Sequence, residues 1–591
     1  MPSESKTCQN CKQSFTIEPD DFAFYEKIKV PPPTFCPECR LIRRMTWRNE
    51  RSLFKRNCAK TGKEIITMFH PDEAVTVYDR EVWWSDEWDA GSYGQDYDFD
   101  RPFFQQFREL LEKVPLANLA NDNCVDSPYG NNNADCKDCY LTYASFSNER
   151  VNYSFGAVHM KDCIDDYVCM NSEFSAYDSV CGGLYKTHFS YDSDESLNSF
   201  FLKSSINLQD CVGCINLRNK SKNIFNTQYT KEEYEEKRKE FNFGSYKTLV
   251  KFEEEYKKFI LGYPNRYASI LKSQDVTGDM VMNAKNAQKC FDIYGGVEDS
   301  KYLIHIVDMK DSYDVYGGGA GANLMYEGVD AGIQASNQLF SVFAHSNLDT
   351  KYTYMCFGSK NLFGCIGLRK KEYCILNKQY TKEEYEALVP KIIEQMNSIP
   401  YIDQKGNEYK YGEFFPSSIS PFAYNETIAQ EYFPKTKEDI QKNDLVYRAS
   451  PEKYYKVTID STNLPDDISD VPDSVVDEVI ACPHGGNELT QCTKAYRIIG
   501  PELEFLRQNN LALPRYCPNC RHYKRLAQRN PFKLWKRKCQ CAGDHSENNK
   551  YKNSVVHTHG AGACSNEFET SYSPERLEIV YCEKCYQQEV I

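Results

Sequence analysis

Near its start the chain reads Cys8-x2-Cys11, then 24 residues, Cys36-Pro-Glu-Cys39, then 18 residues and Cys58. Two CxxC knuckles at that separation have the spacing of a tetrahedral metal site, because each tight turn presents two sulfurs at about 2.3 Å from one divalent ion. Cys8, Cys11, Cys36 and Cys39 are therefore expected to hold one zinc. The other end repeats the intervals: Cys492, 24 residues, Cys517-Pro-Asn-Cys520, 18 residues, Cys539. At a constant offset of 481, Phe15 and Ile17 answer Tyr496 and Ile498, Phe24 answers Phe505, Pro33 answers Pro514 and Arg40 answers Arg521. The module is duplicated.

The copies differ in their first ligand. The position of Cys8 falls at Leu489, so the fourth ligand beside Cys492, Cys517 and Cys520 is expected from Cys482, with His484 the weaker candidate. A second C-terminal set follows in Cys541, Cys564, Cys582 and Cys585, with Cys539 competing for the place of Cys541. Thr67 to Pro71 and Val77-Tyr78 align with Thr570 to Pro574 and Val580-Tyr581, which puts Asp79 and Val82 where Cys582 and Cys585 stand. The N-terminal copy thus keeps the backbone frame without the thiolates, and one zinc is expected there against two at the C-terminus. Four thiolates close a coordination sphere, whereas a catalytic zinc keeps an open position, so the metals are expected to be structural and the protein non-enzymatic.

Residues 8 to 44 carry the pattern CxxC, FxI, [DE]xxFY, P, CPxCR, and on these residues the N-terminal copy resembles the probable zinc-ribbon (treble-clef-like) family of bacteria. The two ends together resemble uncharacterised multi-zinc proteins of candidate-phyla bacteria, over residues 1 to 58 and 480 to 591. The resemblance implies zinc and implies no reaction.

The windows after the CPxC knuckles are strongly basic. Arg40, Arg43, Arg44, Arg48, Arg51, Lys55 and Arg56 stand against the single acid Glu50, and Arg521, Lys524, Arg525, Arg529, Lys533, Lys536, Arg537 and Lys538 stand against none. The windows carry +6 and +8 in a chain of net charge −14, so the remainder carries −28. If each window starts as a helix, Arg40, Arg43 and Arg44, or Arg521, Lys524 and Arg525, share one face. With Trp47, His522, Tyr523 and Trp535 interleaved to stack on bases, this suits nucleic acid, RNA or DNA, bound by Arg40, Arg43, Arg44, Arg48, Arg521, Lys524, Arg525, Arg529 and Lys533. The competing expectation is that these cations neutralise acids of the same molecule or of a second copy, making a self-associating or protein-binding structural protein.

From Cys124 to about Gln379 short aromatic and polar runs alternate, with tokens recurring at roughly 20 to 25 residues, the range of a β-solenoid coil. A longer duplication is offset by 151: Cys214-Ile-Asn-Leu-Arg218 matches Cys365-Ile-Gly-Leu-Arg369, and Gln228 to Tyr234 matches Gln379 to Tyr385. Met160-Lys-Asp162 and Met309-Lys-Asp311 match at 149, which places a two-residue indel inside the copy. Each block ends in Thr-Lys-Glu-Glu, a capping box opening a helix over about 231–241 and 382–396. The central cysteines are expected to pack as small core residues, since Cys136 and Cys211 fall at Ala287 and Leu362 in the second copy. Asp162, Asp165 and Asp166 are expected in turns or facing solvent; as an acid and base pair they would suit a carbohydrate-active solenoid enzyme, the third class considered.

The 591 residues, 26 of them Cys, contain no run of 18 apolar residues and no secretory apolar stretch after Met1, which points to reduced thiols, a cytoplasmic location and no membrane partner. The expected fold is mainly β: a two-block right-handed β-solenoid with capping helices, flanked by N- and C-terminal treble-clef-like zinc modules. The divisions are 1–60 zinc module, 61–120 extension with a helix over 102–114, 121–242 first block, 243–275 helical linker, 276–396 second block, 397–480 irregular connector and 481–591 zinc module with two metal sites.

Overall fold

A computed structural model describes residues 2–449 and 455–590; the stretch 450–454 of the expected connector lies outside them. The chain divides into two compact units, one of residues 1–120 with 268–449 and the other of residues 121–267 with 450–591. Each unit thus joins one terminal cysteine module to one copy of the central repeat, and the pairing is crossed. The N-terminal module belongs with the second repeat, the C-terminal module with the first.

In the second unit, isolated parallel bridges at residues mostly three apart link each to the residue twelve further on, from Asp122 with Ala134 to Leu197 with Gln209. The expected spacing of 20 to 25 therefore spans about two such passages. The local period is three, not the two of an ordinary strand. Every third residue is buried, as in Cys136, Cys139, Thr142, Ser145, Asn148, Val151, Ser154, Ala157, Met160 and Cys163. The residue before each has a left-handed backbone, with φ near +50° at Asp135, Asp138, Leu141, Ala144 and Ser147. Left-handed geometry costs a β-substituted residue roughly 1–2 kcal/mol, so Leu141 or Val168 adopts it only because the ladder fixes the corner. The inward positions are small because four such corners close on one another within twelve residues. Their hydroxyls also serve the ladder: Ser145 accepts from the Ala157 amide and Ser154 from the Asp166 amide, both at 3.0 Å.

In the first unit the strands lengthen into a twelve-strand sheet in which parallel partners follow at 12 or 13 residues. Strands Met309–Lys310 and Tyr313–Ala320 are two pieces of one passage. Both pair with Val297–Ile306 before them and with Ala322–Ile333 after them, which closes a four-strand ring within the sheet.

The helices follow their sequence signals. Helices Lys231–Arg238 and Lys382–Ser398 open on the expected capping boxes, in which Thr230 and Thr381 accept from the third helical amide and Glu233 and Glu384 reach back. Phe103–Lys113 and Tyr246–Ile260 are helical as their periodicity predicts. In each module the helix after the CPxC knuckle, Pro37–Met45 or Pro518–Leu526, has Cys at its N-cap and Pro at the first turn, where the missing N–H costs nothing.

Candidate metal centres and the buried arginine clusters

Three of the four CxxC knuckles in these sites share one local construction. The amide of the first knuckle cysteine donates to the sulfur of a cysteine remote in sequence: Cys36 to Cys8 at 3.2 Å, Cys517 to Cys482 at 3.4 Å and Cys582 to Cys539 at 3.2 Å. Such N–H···S bonds hold a thiolate in place before any ion arrives. Asn10 donates to Cys39 at 3.3 Å and Asn566 to Cys582 at 3.3 Å in the same way. The frame occurs a fourth time, where the Asp79 amide donates to Cys58 at 3.3 Å, without further thiolates.

Among the described residues, four groups bring their ligand atoms within 4.8 Å of one another and could hold a metal ion. Cys8, Cys11, Cys36 and Cys39 form the first, and Cys482, Cys492, Cys517 and Cys520 the second, so Cys482 takes the place expected of it while His484 Nδ1 lies 3.1 Å from Cys520. The third is Cys539, Cys564, Cys582 and Cys585. In this set the competing residue Cys539 stands in the place expected of Cys541: it directly follows the hairpin strand Trp535–Lys538 and faces the Cys582 amide, and Cys541, two residues on, falls in a different group. The fourth group is Cys541 with His557, His559 and Cys585. Neither histidine was singled out from sequence, although His557-Thr-His559 lying between Cys541 and Cys564 was a usable signal.

Packed sulfurs cannot all ionise without a cation among them. The Cys36 and Cys39 thiols pull Cys8 far down, while the Cys36 thiol first, then Cys8, drives Cys39 far up. In the second group Cys482 brings Cys492 down to about 6, and in the third Cys582 pushes Cys539 up to about 12. A divalent ion removes the conflict, because it stabilises every thiolate at once.

The basic windows lie against the repeat. Arg40, Arg43 and Arg44 do share one helix face, and that face is inward. Arg40 lies 2.8 Å and Arg44 3.0 Å from Asp314, Arg43 and Arg44 lie 2.9 and 2.8 Å from Glu327, and Arg43 reaches Glu413 at 2.8 Å. None of the three arginines exceeds 3% exposure. Arg48 is buried against Glu50. Burial alone would lower the Arg40 pKa, yet Asp314 holds it well above its ordinary value, so the guanidinium stays charged.

The C-terminal module repeats the arrangement. Arg521 meets Asp165 at 3.2 Å and Glu502 at 2.7 Å, Arg525 meets Asp165 at 2.9 Å, and Tyr153 donates to Glu502 at 3.0 Å. Asp165 and Glu327 each interrupt a column of aromatic corners. Tyr177, Phe189 and Phe201 stack at 4.8–4.9 Å beyond Asp165, and Phe340 stacks on Tyr352 at 4.5 Å beyond Glu327. Arg521 lies 4.7 Å over Tyr153 and Arg40 5.4 Å over Tyr302.

These contacts correct two expectations. Arg40, Arg43, Arg44, Arg48, Arg521 and Arg525 do not present guanidinium groups to solvent, because buried carboxylates of the same unit draw them inward. The proposed stacking residues Trp47 and His522 are fully buried, Trp47 at 4.8 Å from Phe415 and His522 at 5.9 Å from Phe155. Asp165 and Asp166 are buried and not solvent-facing; burial raises the Asp166 carboxyl well above its usual range. Asp162 is half-buried and paired with Arg150 at 2.6 Å. Of the expected nucleic-acid residues, Lys524 is exposed and paired with Glu253 at 2.8 Å, Lys533 is exposed, and Arg529 is half-buried, donating to the Tyr167 hydroxyl at 2.9 Å.

The fold and the cysteine groups define a mainly β protein with terminal clusters placed for metal binding. Among the described residues no helix is long and apolar enough to cross a membrane. No protein-family model matches the chain, and no curated protein matches it.

Proposed function

We propose that the protein is a non-enzymatic, zinc-held structural scaffold: two β-solenoid blocks of twelve- to thirteen-residue coils, each clamped along one side by a treble-clef-like module. The observation that carries this reading is the burial of the modules' arginines against Asp314 and Glu327 in one unit and Asp165 and Glu502 in the other. Cations committed to acids of their own unit act as a fastening, and sets of four thiolates leave no coordination position for a substrate. Zinc fits the donors best, since sulfur and imidazole in tetrahedral sets select it over magnesium or calcium. The test is metal analysis of the purified protein, followed by chelation with hydrogen exchange monitored in both blocks. Zinc should be found, and its removal should release protection in the repeat as well as in the modules. Modules that melt while the blocks stay protected would oppose the clamp.

A second reading keeps nucleic acid as partner through the exposed cations Lys524, Lys533, Lys536 and Lys538 of the C-terminal module. It predicts binding of single-stranded or duplex RNA or DNA that weakens steeply with salt and is lost in Lys533→Glu with Lys536→Glu. Absence of binding at low salt, with a salt-sensitive dimer in its place, would favour association between copies or with a protein partner.

A further inference from the structure

Cys585 belongs to two of the four groups at once. Its sulfur lies within 4.8 Å of the ligand atoms of Cys539, Cys564 and Cys582, and equally within 4.8 Å of those of Cys541, His557 and His559. Without Cys585 each set has three ligands; with it each has four. We infer that the C-terminal module holds a binuclear zinc cluster in which the Cys585 thiolate bridges two ions, one completed by Cys539, Cys564 and Cys582 and the other by Cys541, His557 and His559.

Three further observations support the second half. First, the three donors beside Cys585 converge: Cys541 Sγ lies 3.2 Å from His557 Nδ1 and 3.4 Å from His559 Nε2. Second, the outer nitrogen of His557 is already committed. Its Nε2 lies 2.8 Å from Glu589 Oε1, and both side chains are fully buried. Glu589 stands one helical turn beyond Cys585 on helix Glu583–Val590 and also accepts from Tyr551 and from the Ser554 amide. A carboxylate accepting the Nε2 proton leaves Nδ1 as the free lone pair, which is how ligating histidines are commonly oriented. Third, the Cys541 sulfur accepts from Asn553 at 3.3 Å, whose amide oxygen is fixed by the Tyr581 hydroxyl at 2.8 Å. The two halves are also tied through the backbone, the Cys564 amide donating to the Cys541 carbonyl at 2.8 Å.

The electrostatics favour sharing. Five thiolates with two neutral imidazoles and two divalent ions sum to −1, whereas the first set alone, four thiolates around one ion, already carries −2. A thiolate retains lone pairs for a second ion, so adding that ion needs only one further thiolate, Cys541, and lowers the local charge from −2 to −1. His559 is the exposed member of the cluster, which makes its ion the more exchangeable of the two.

The inference rests on the reading of the clusters as zinc sites and is tested apart from it. The full chain, as purified, is analysed for metal per protein, then exchanged with cadmium-113 for NMR. Four metals are expected, with the β-protons of Cys585 coupled to two different cadmium nuclei. His559→Ala should lose one metal and keep the amide spectrum of the fold, Cys539→Ser should lose one, and Cys585→Ser should lose two. Three metals in the unaltered protein, or four with Cys585 coupled to a single cadmium, would overturn the bridge while leaving the clamp intact. Absence of any metal would remove both.

Discussion

The Arg525 guanidinium lies 2.9 Å from the Asp165 carboxylate, and neither side chain reaches solvent, at 4% and 0% exposure. The module offset of 481 carries Arg44 onto Arg525, and the repeat offset of 149 carries Asp165 onto Asp314, the partner of Arg44 at 3.0 Å. Two duplications found separately in the sequence therefore meet in one ion pair, made twice. The contact between module and repeat is part of what was duplicated.

Breaking that pair should be costly on the unit that contains it. Removing one partner of a buried, charged pair costs about 3–5 kcal/mol, because the other charge stays buried. Asp165→Asn should destabilise residues 121–267 and the C-terminal module by that order, and Asp314→Asn should do the same to the other unit. Hydrogen exchange resolves the two regions; a loss under about 1 kcal/mol in both would mean that the pairs do not fasten the modules. Screening by salt should be slight, since the pairs are out of water.

Metal removal should act locally first. Cys36→Ser removes a ligand of the first group while keeping the residue-36 amide that donates to Cys8, and it should lower the metal content by one ion. The hairpin Glu4–Thr7 with Ser14–Ile17 and the first turn of helix Pro37–Met45 should lose protection, because binding and folding are one event in so small a module. Native mass spectrometry with hydrogen exchange checks both.

The first unit should weaken as pH rises through neutrality. Burial pushes Glu50 and Glu431 up to about 7 from 4.5, against the lowering effect of Arg48 and Arg51. A carboxyl whose folded pKa is raised contributes stability that is complete below about pH 4.5 and is lost as pH climbs through 7. Between pH 6 and 8 the loss is about 1 kcal/mol per group. Denaturant melts with zinc in excess should show this slope, and Glu431→Gln should flatten it by one group's share. An unchanged slope in that variant would remove Glu431 from the account.

The inward hydroxyls of the repeat should matter more than their small volume implies. Ser154→Ala leaves the Asp166 amide without its 3.0 Å acceptor, which costs about 1–3 kcal/mol for a buried donor. Ser154→Leu should be worse, as the closed passage has no room for the extra methylenes. Thermal melts of the two variants rank them; equal stability would mean that the position is not enclosed.

CxxC spacing is a local property of a turn, so the first ligand set, Cys517 with Cys520 in the second, and the capping boxes at Thr230 and Thr381 could be read directly, whereas Cys482, ten residues before Cys492, was placed only against the alternative His484. The period of three is harder to read, because alternating aromatic and polar runs also fit the ordinary strand period of two. Its signal was the run of small residues at every third position from Cys136 to Cys163, and that spacing also fixes the twelve-residue register. Cys539 and Cys541 could not be told apart by spacing, since only the fold decides which sulfur faces the Cys582 amide.

The arginines mark the boundary most clearly. Helical periodicity placed Arg40, Arg43 and Arg44 on one face, and nothing in the window told whether that face met solvent or a partner. The partners, Asp314 and Glu327, lie far along the chain at corners of a different element. Sequence determined what short-range geometry determines: the knuckles, the caps, the duplications and the shared faces. Tertiary structure decided what depends on charges distant in the chain coming together, namely that the basic surfaces turn inward and that Cys585 stands between two sets of ligands.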